Sequence, residues 1–546
     1  MRLAPVALLA AAIPLAAYGP ALGGGFISDD VAIVADNPAV RSVGAALASF
    51  GRSYWFGLKS VEPYYRPLPI VSYAIDRAVW GGGAPSYHAT NVALHAACAL
   101  LVGLLVAGLA RGRGPGDGAV AGAAAIATAF AAAHPIHSEP AAAIFGRPDL
   151  LASFLVLAFL NLAIRGRLAW ALPCLALALF SKESAVGMVL LAPFALREGE
   201  RASGRPANSG RALLAFLLPM TILSGYLVMR YRAIGLGLDV AALSRLDNPL
   251  VGAPGASRWL TPIAIVARYA GLWLWPARLC GDHGFDTVPL AGSLLDGHVV
   301  AGGAILLVGG AALVALIRGR SPLWIPLAAA ALAFAPASNL VVLAPVLMAE
   351  RVVYLPSLLV IAVLGALLAA GLSRLRSRAA VAAICSGATV VIVAAGVRTH
   401  ARAGEFASDL TFYGSDVRTC PSSAKAQFNF GNALARNGRE GEAVEAYAAA
   451  TRIAPWLAVA HNNLGMSYLR LGKFRDAESA FREAVAQDPG LLSPHESLAG
   501  LLYQDGRLEE SLAEAARALD LAPNPSDARQ LRDLIRTIEG RVGRER

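Results

Sequence analysis

The sequence predicts an all-α protein in two parts: a polytopic helical membrane domain followed by a solenoid of short helical repeats. Three observations carry this prediction. Apolar residues make up 56% of the 546 residues and charged residues only 15%, whereas a soluble domain is about a quarter charged. About eleven apolar runs of helical length lie before residue 400. The remaining chain is ordinary soluble sequence with an internal repeat.

The apolar runs define the candidate membrane spans, because a bilayer core needs roughly 20 apolar helical residues. The first run, Met1 to about Leu22, is interpreted as an uncleaved signal anchor, since more spans follow it instead of a cleavage site. The predicted spans are about 4–22, 91–110, 118–134, 149–164, 168–181, 184–197, 211–229, 296–317, 322–337, 354–372 and 379–397.

Arginine placement predicts the orientation of these spans. With the N-terminus in the cytoplasm, every inner turn carries at least two arginines, as the positive-inside rule requires. An odd number of spans then places the repeats on the extracytoplasmic side. Residues 258–278 are interpreted as an interfacial or re-entrant helix, because counting them as a span would invert the later turns.

The C-terminal part repeats every 34 residues or so, which is the tetratricopeptide length. Small residues at fixed positions let paired helices approach, an aromatic residue fills the gap and a proline ends the second helix. The positions in register include Gly431 and Gly465, Tyr447 and Phe481, and Pro455, Pro489 and Pro523. The predicted division is a membrane domain at 1–400, a linker at 401–421, three repeats at 422–525 and a capping helix with tail at 526–546.

The formal charge of +10 is assigned to membrane orientation. The basic residues lie between apolar runs and no basic patch with interleaved aromatics is present, so no nucleic-acid partner is predicted.

Chemistry-bearing residues collect in the predicted outer segments, at the ends of several different spans. Each set has a structural alternative: helix capping for the first, hydrogen bonding for the histidines, and a salt bridge closing a hairpin for the Lys-Glu pair. A metal site at the histidines is open, although their spacing fits no standard helical zinc motif. The candidates are Asp29 and Asp30; Tyr65 and Arg66; His134, His137 and Glu139; Arg147; Lys182 and Glu183; and Glu350 and Arg351.

These blocks, in this order and with repeats after them, resemble the transmembrane and tetratricopeptide-repeat O-mannosyltransferases, which are superfamily C glycosyltransferases. The specific blocks are HPIHSE with GRPDLL, and AERVVYLPS, supported by YRPL, SKE and the Asp-Asp pair. The resemblance runs from about Phe26 to the end. The repeat array is shorter than in animal members, which leaves the acceptor and the sugar open.

The resemblance implies an inverting protein O-glycosyltransferase of the EC 2.4.1 type. The donor is a sugar, mannose or another hexose, on a polyprenyl phosphate, and the acceptor is Ser or Thr of exported protein, recruited through the repeats. No tightly bound cofactor is expected, and the need for a divalent ion is open. The setting is a bacterial inner membrane with periplasmic repeats, or an ER membrane with lumenal repeats.

The resemblance also implies residue roles. Asp29 or Asp30 is the base, and Arg351 is the first choice for the donor phosphate, because a guanidinium binds phosphate bidentately. Lys182 is second, and Arg66 and Arg147 are weaker candidates. Positioning of sugar or acceptor is assigned to His134, His137, Glu139, Glu183, Glu350 and Tyr65.

Three alternatives remain. A transporter or flippase would place ionisable residues near mid-membrane, whereas here they lie at span ends. A non-catalytic scaffold would use the repeats to assemble envelope complexes. A related glycosyltransferase would act on lipid-linked glycans.

Overall fold

The computed structural model describes residues 4–55, 64–111, 114–202, 209–235, 243–281 and 283–545. Within these ranges every regular element is helical. The chain divides into two compact units, one of residues 1–281 with 290–412 and one of residues 282–289 with 413–546. The predicted limits at 400, 421 and 525 stay predictions; residues 409–419, inside the predicted linker, are helical.

The first unit is a helical membrane bundle with short 3₁₀ turns between its helices. Its helices are α1 Ala4–Ala17, α2 Val43–Leu47, α3 Pro67–Trp80, α4 Ala84–Ala110, α5 Asp117–Ala133, α6 Ser138–Ala142, α7 Arg147–Ala163, α8 Leu168–Leu179, α9 Met188–Ala202, α10 Ser209–Ile234, α11 Ser257–Leu274, α12 Gly297–Arg318, α13 Trp324–Phe334, α14 Tyr354–Arg374 and α15 Arg378–Glu405. Helix α16, Asp409–Thr419, crosses the division between the units.

The predicted count of about eleven spans is higher than the structure supports by length and composition. Six described helices are long and apolar enough to cross a bilayer, and a seventh is obtained if the bent pair 117–133 and 135–142 forms one span. Three further predicted spans correspond to the shorter apolar helices α1, α8 and α13. Apolar composition alone could not show that these runs form short helices.

Close backbone approach holds the bundle together, because lipid tails give no hydrophobic drive for helices to associate. A Cβ on Gly103 of α4 would lie 2.1 Å from Thr128 Oγ1 of α5. A Cβ on Gly199 of α9 would lie 1.9 Å from the carbonyl oxygen of Ala163. Glycine at these positions therefore sets the distance between neighbouring helices.

The predicted interfacial segment 258–278 is largely helix α11, which is not among the candidate spans. Its flanking tryptophans, Trp259 and Trp275, are strongly exposed. Tryptophans of this kind are typical of the headgroup region, and the interfacial placement stays a prediction.

The second unit contains three helix pairs and a longer final helix. Each turn between the helices of a pair includes a glycine with positive φ, the first being Gly438 at 72°. The helices are α17 Ala424–Arg436, α18 Glu440–Ile453, α19 Ala458–Arg470, α20 Phe474–Gln487, α21 Leu492–Gln504, α22 Leu508–Asp520 and α23 Pro525–Glu545.

The two repeat glycines have the packing role that the sequence predicted. A Cβ on Gly431 would lie 2.6 Å from the Tyr447 ring, and a Cβ on Gly465 would lie 2.6 Å from the Phe481 ring. Each aromatic side chain is buried against the glycine of its own repeat. The spacing between the two helices of a pair is thus fixed by a glycine and an aromatic residue.

Candidate functional site

The predicted outer segments meet at one end of the membrane unit. The Phe145 backbone N–H donates to Asp30 Oδ1 at 2.6 Å, across 115 residues of sequence. Arg351 binds Glu139 across 212 residues. The segments after α1, between α5 and α7, and before α14 therefore form one polar surface.

Asp29 and Asp30 have different environments although they are adjacent. Asp30 is completely buried, and its Oδ2 also accepts the Ile27 backbone N–H at 3.1 Å. Burial raises the pKa of Asp30 above its ordinary value, while the hydrogen bonds from Ile27 and Phe145 oppose that shift. Asp29 is exposed and interacts electrostatically with Arg351. Asp30 fixes the local backbone, and Asp29 is the solvent-accessible carboxylate of the two.

Glu139 holds Arg351 through two contacts. Its Oε1 lies 2.5 Å from Arg351 Nη1, and its Oε2 accepts the Arg351 backbone N–H at 2.9 Å. The Arg351 guanidinium also lies 5.8 Å from the centre of the Phe145 ring. Glu139 is 1% exposed, whereas the Arg351 side chain is 30% exposed. The cation is therefore fixed in place and open to solvent.

Two further cations each have their own carboxylate. Lys182 Nζ lies 2.5 Å from Asp149 Oδ1. Arg66 binds Glu183 through Nε and Nη2, at 3.0 and 2.8 Å from Oε2, and stacks 4.2 Å from the centre of the Tyr64 ring. The Lys182 and Arg66 side chains are only 14% and 15% exposed. Of the three cations, Arg351 has the most accessible side chain.

Lys182 lies near enough to both Arg66 and Arg351 for their charges to act on it. Burial lowers the pKa of Lys182, and Arg66 and Arg351 lower it further while Asp149 raises it. Burial alone would raise the pKa of Glu183, but Arg66, a backbone hydrogen bond and Lys182 together outweigh burial and leave the pKa below its ordinary value. The surface therefore combines fixed positive charge with a carboxylate, Glu183, that these charges keep ionised.

Arg147 is placed differently from the other candidate cations. It is completely buried, and its guanidinium binds Asp76 at 2.9 Å, the Tyr87 carbonyl at 2.9 Å, Asn91, and Ser72 at 3.3 Å. Its predicted role in phosphate binding stays untested. Because its donors contact protein groups, the geometry favours a structural role.

His134 and His137 have hydrogen bonds at both ring nitrogens. His134 Nε2 lies 2.9 Å from the Trp273 carbonyl oxygen, and its Nδ1 accepts the backbone N–H two residues on. His137 lies 2.9 Å from the Ala131 carbonyl and 2.5 Å from Ser357 Oγ. No group of three or more His, Cys, Asp or Glu fit to hold a metal ion occurs among the residues with described placement. These histidines therefore fit the structural alternative better than a metal site.

Tyr65 and Glu350 are completely buried. The Tyr65 hydroxyl donates to the Phe50 carbonyl at 2.7 Å, and Glu350 Oε1 accepts the Cys280 backbone N–H at 2.7 Å. Glu350 Oε2 also lies 3.9 Å from Nη2 of the buried Arg402. The predicted positioning roles of Tyr65 and Glu350 stay untested.

Sequence reasoning missed two residues that shape this surface. Asp149 lies in the GRPDLL block, at the first residue of the predicted span 149–164, yet its pairing with Lys182 needs the fold. Tyr269 of α11 donates to the Ala349 carbonyl at 3.1 Å and accepts the Ala349 N–H at 2.9 Å. Nothing in the local sequence of α11 indicates this contact.

The fold and this surface define a class: a multi-pass membrane protein with an ion-paired polar surface at one end of its bundle and a helical-repeat unit. Residues 237–309 match the family model described as "Protein O-mannosyl-transferase TMTC, DUF1736". Residues 409–455 and 462–527 match the tetratricopeptide repeat model. The relationship to the transmembrane and tetratricopeptide-repeat O-mannosyltransferases that the motifs indicated is thereby confirmed.

Curated relatives agree with this relationship. The chain is 26% identical over 440 residues to Protein O-mannosyl-transferase F38B6.6 of Caenorhabditis elegans, covering 79% of this chain and 60% of that protein. It is 26% identical over 496 residues to human Protein O-mannosyl-transferase TMTC4, covering 80% of this chain and 65% of that protein. It is 26% identical to human Protein O-mannosyl-transferase TMTC3, covering 77% of this chain and 48% of that protein. The chain thus spans about half to two thirds of the length of these relatives.

Among solved structures, the first TPR of Spaghetti (RPAP3) bound to an HSP90 peptide is 27% identical, covering 22% of this chain and 93% of that chain with a TM-score of 0.21. Pseudomonas aeruginosa pilF is 17% identical, covering 29% of this chain and 74% of that chain, with a TM-score of 0.22.

Proposed function

We propose that this protein is an inverting glycosyltransferase that moves mannose or another hexose from a polyprenyl phosphate to Ser or Thr of exported proteins. The observation that carries this proposal is the exposed Asp29, which interacts electrostatically with Arg351, in a surface whose three cations are each held by a carboxylate. The relationship to O-mannosyltransferases supports the sugar and the protein acceptor. The proposed side of the membrane is extracytoplasmic, from the arginine-rich turns.

The geometry supports a single displacement. The acceptor hydroxyl oxygen forms a bond to sugar C1, its proton passes to Asp29, and the bond from C1 to the phosphate oxygen breaks. The polyprenyl phosphate leaves as an anion and needs charge stabilisation rather than a proton. A carboxylate can serve as base because the transition state is oxocarbenium-like and proton loss comes late.

Arg351 is the proposed phosphate ligand. It is the most accessible of the three cations, and the Glu139 contacts hold its guanidinium before the donor arrives. A fixed guanidinium loses less rotamer freedom on binding than a mobile one. Lys182 and Arg66 add positive charge around the phosphate. Glu139 is then a positioning residue for Arg351, rather than a group that contacts the sugar.

The test compares Asp29→Asn with Asp30→Asn. Each purified variant in lipid nanodiscs receives polyprenyl-phosphate mannose with a radioactive sugar and a Ser/Thr-rich peptide. We expect Asp29→Asn to keep the thermal midpoint and lose about 10²- to 10⁴-fold of the transfer rate, the usual contribution of a general base. Asp30→Asn should lower the midpoint, because its Oδ1 and Oδ2 each accept a backbone N–H.

Wild-type transfer by Asp29→Asn would overturn the assignment of the base. Label that enters the lipid fraction while peptide masses stay unchanged would instead favour the enzyme that acts on lipid-linked glycans. The proposed activity would be overturned if the wild-type protein transferred no radioactive sugar to either the peptide or the lipid fraction with donors carrying several different hexoses.

A further inference from the structure

The backbone directly before the proposed base has an uncommon conformation. Ser28 has a φ of 49°, in the left-handed region. A residue with a side chain adopts this region at a cost, and serine is not among the types that favour it, unlike glycine, asparagine and aspartate. Such conformations persist only where the surrounding structure holds them, and they concentrate at functional sites. The segment before Asp29 therefore needs a group that holds it.

The carboxylate of Asp409, the first residue of helix α16, is such a group. Its Oδ1 accepts the Ser28 backbone N–H at 2.8 Å, across 381 residues of sequence. A second bond lies nearby, from the Gly25 backbone N–H to the Ala407 carbonyl oxygen at 3.0 Å. The turn that leads into α16 thus holds the segment 25–28 at both of its ends.

Helix α16 has a cap that does not involve the Asp409 carboxylate. Ser408 Oγ accepts the Thr411 backbone N–H at 3.2 Å, and Thr411 Oγ1 accepts the Ser408 backbone N–H at 3.0 Å. This is the reciprocal arrangement of a capping box, which satisfies free backbone N–H groups at the start of a helix. Because these two residues supply the cap, the Asp409 carboxylate is available to hold Ser28.

The chain on the other side of Asp29 is fixed by Asp30. The Asp30 carboxylate accepts backbone N–H groups from Ile27 and Phe145. Asp29 itself is exposed, so packing of its side chain does not fix its carboxylate. The position of that carboxylate therefore follows from the backbone on either side of it, and the bond from Ser28 supplies one of these two constraints.

We propose that Asp409 is a positioning residue for the transfer reaction. By accepting the Ser28 N–H it holds the left-handed conformation, and so fixes the Asp29 carboxylate relative to Arg351, the proposed phosphate ligand. A displacement of about 1 Å can cost roughly 10²-fold in rate. The inference rests on the proposed function for the role of Asp29. Asp409 belongs to none of the sequence blocks on which the resemblance rests.

The first test measures the hold on the segment without any activity. Hydrogen–deuterium exchange of the full-length protein in lipid nanodiscs is followed by mass spectrometry with fragmentation that resolves single amides. We expect Asp409→Ala to speed exchange of the Ser28 amide by about tenfold or more, because a hydrogen bond to a carboxylate is lost. Exchange elsewhere in the chain reports whether the variant is folded. Unchanged exchange at Ser28 would overturn the inference.

The matched control for this test is Asp117→Ala. Asp117 is also an exposed acidic residue in the first turn of a helix of the membrane unit, α5. Its removal should leave both the exchange of the Ser28 amide and the transfer rate as in wild type. Faster exchange at Ser28 in this control would show that the effect is not specific to Asp409, and would count against the inference.

The second test separates positioning from a general loss of structure. Transfer is measured with polyprenyl-phosphate mannose that carries a radioactive sugar and with the Ser/Thr-rich peptide. We expect Asp409→Ala to lower kcat by about tenfold or more and to leave KM for the donor near wild type, because the base is misplaced and the phosphate ligand is not. Asp409→Asn keeps an oxygen acceptor and should lose less. An equal loss in both variants, or a higher donor KM with unchanged kcat, would overturn the inference.

Glycine at position 28 provides a rescue that a merely structural role of Asp409 does not predict. Glycine adopts positive φ about as readily as negative φ, so Ser28→Gly should make the segment less dependent on the Asp409 carboxylate. In the Ser28→Gly background we expect Asp409→Ala to lower kcat by less than about threefold, against about tenfold or more in the wild-type background. The same loss in both backgrounds would overturn a role of Asp409 through Ser28.

Failure of this inference can be separated from failure of the proposed function. No transfer by wild type, or wild-type transfer by Asp29→Asn, would reject the proposed function, while the exchange test still decides whether Asp409 holds the segment. Loss of transfer in Asp29→Asn together with a wild-type kcat in Asp409→Ala would reject only the positioning role.

Discussion

Arginine pairs with an acidic side chain in both units of this protein, with different consequences. In the membrane unit, Arg147 is buried with Asp76, at 0% and 7% exposure. In the repeat unit, Arg439 and Glu442 pair on the surface, at 44% and 55% exposure. A buried pair loses its hydration and must be fully matched, whereas a surface pair keeps its water. The same kind of ion pair therefore joins two helices in the interior of one unit and lies on the surface of the other.

The largest effect on stability is expected from breaking the buried pair. Arg147→Met leaves the Asp76 carboxylate buried without its cation, which should lower the free energy of unfolding by about 3–5 kcal/mol. Thermal or denaturant unfolding in micelles measures the change. Arg167→Met, at an exposed position directly before α8, is the control and should unfold like wild type. Equal behaviour of the two variants would contradict the contrast between the units.

The next largest effect on stability is expected from the close approach of helices α19 and α20 at Gly465 in the second repeat. Gly465→Ala places a Cβ 2.6 Å from Phe481, and overpacking of this kind destabilises by about 1–3 kcal/mol. Gly441→Ala, whose Cβ would meet nothing within 4 Å, should be neutral or slightly stabilising in helix α18. Circular dichroism of both variants during heating measures the difference. A neutral Gly465→Ala would show that the contact is not tight.

A smaller, pH-dependent effect is expected at Arg66 and Glu183. Because the pKa of Glu183 lies below its ordinary value, its contribution to stability is complete above the ordinary pKa of about 4.3. That contribution is lost as the pH falls through the lowered pKa. The gap in thermal midpoint between wild type and Glu183→Gln should therefore be constant from pH 5 to 7 and shrink in stronger acid. A gap independent of pH over the whole range would show that charge is not its cause.

The smallest effect is expected at the surface pair. Arg439→Ala should leave the thermal midpoint of the repeat unit unchanged within error, because exposed ion pairs contribute little and salt screens them. A clear loss of stability at low salt that disappears at high salt would show that this pair stabilises the repeat after all.

The resemblance predicted much of the site, because its motifs preserve residue types and their order. It could not distinguish the exposed Asp29 from the buried Asp30, since that difference depends on backbone N–H groups from the turn before α7. It could not show that Arg147 binds Asp76 and Asn91, which lie on other helices. A motif shows only the residue type at each position. It therefore does not distinguish a buried side chain that binds other protein groups from a side chain that is open to solvent.

The sequence by itself determined that this chain enters a membrane and ends in helical repeats. Hydropathy and a fixed period are local properties, read along one helix or one repeat at a time. Only the tertiary structure decided which helices are long enough to cross a bilayer and which acid pairs with which base. Those outcomes depend on distances between segments up to 212 residues apart, and a pattern along the chain carries no such distance.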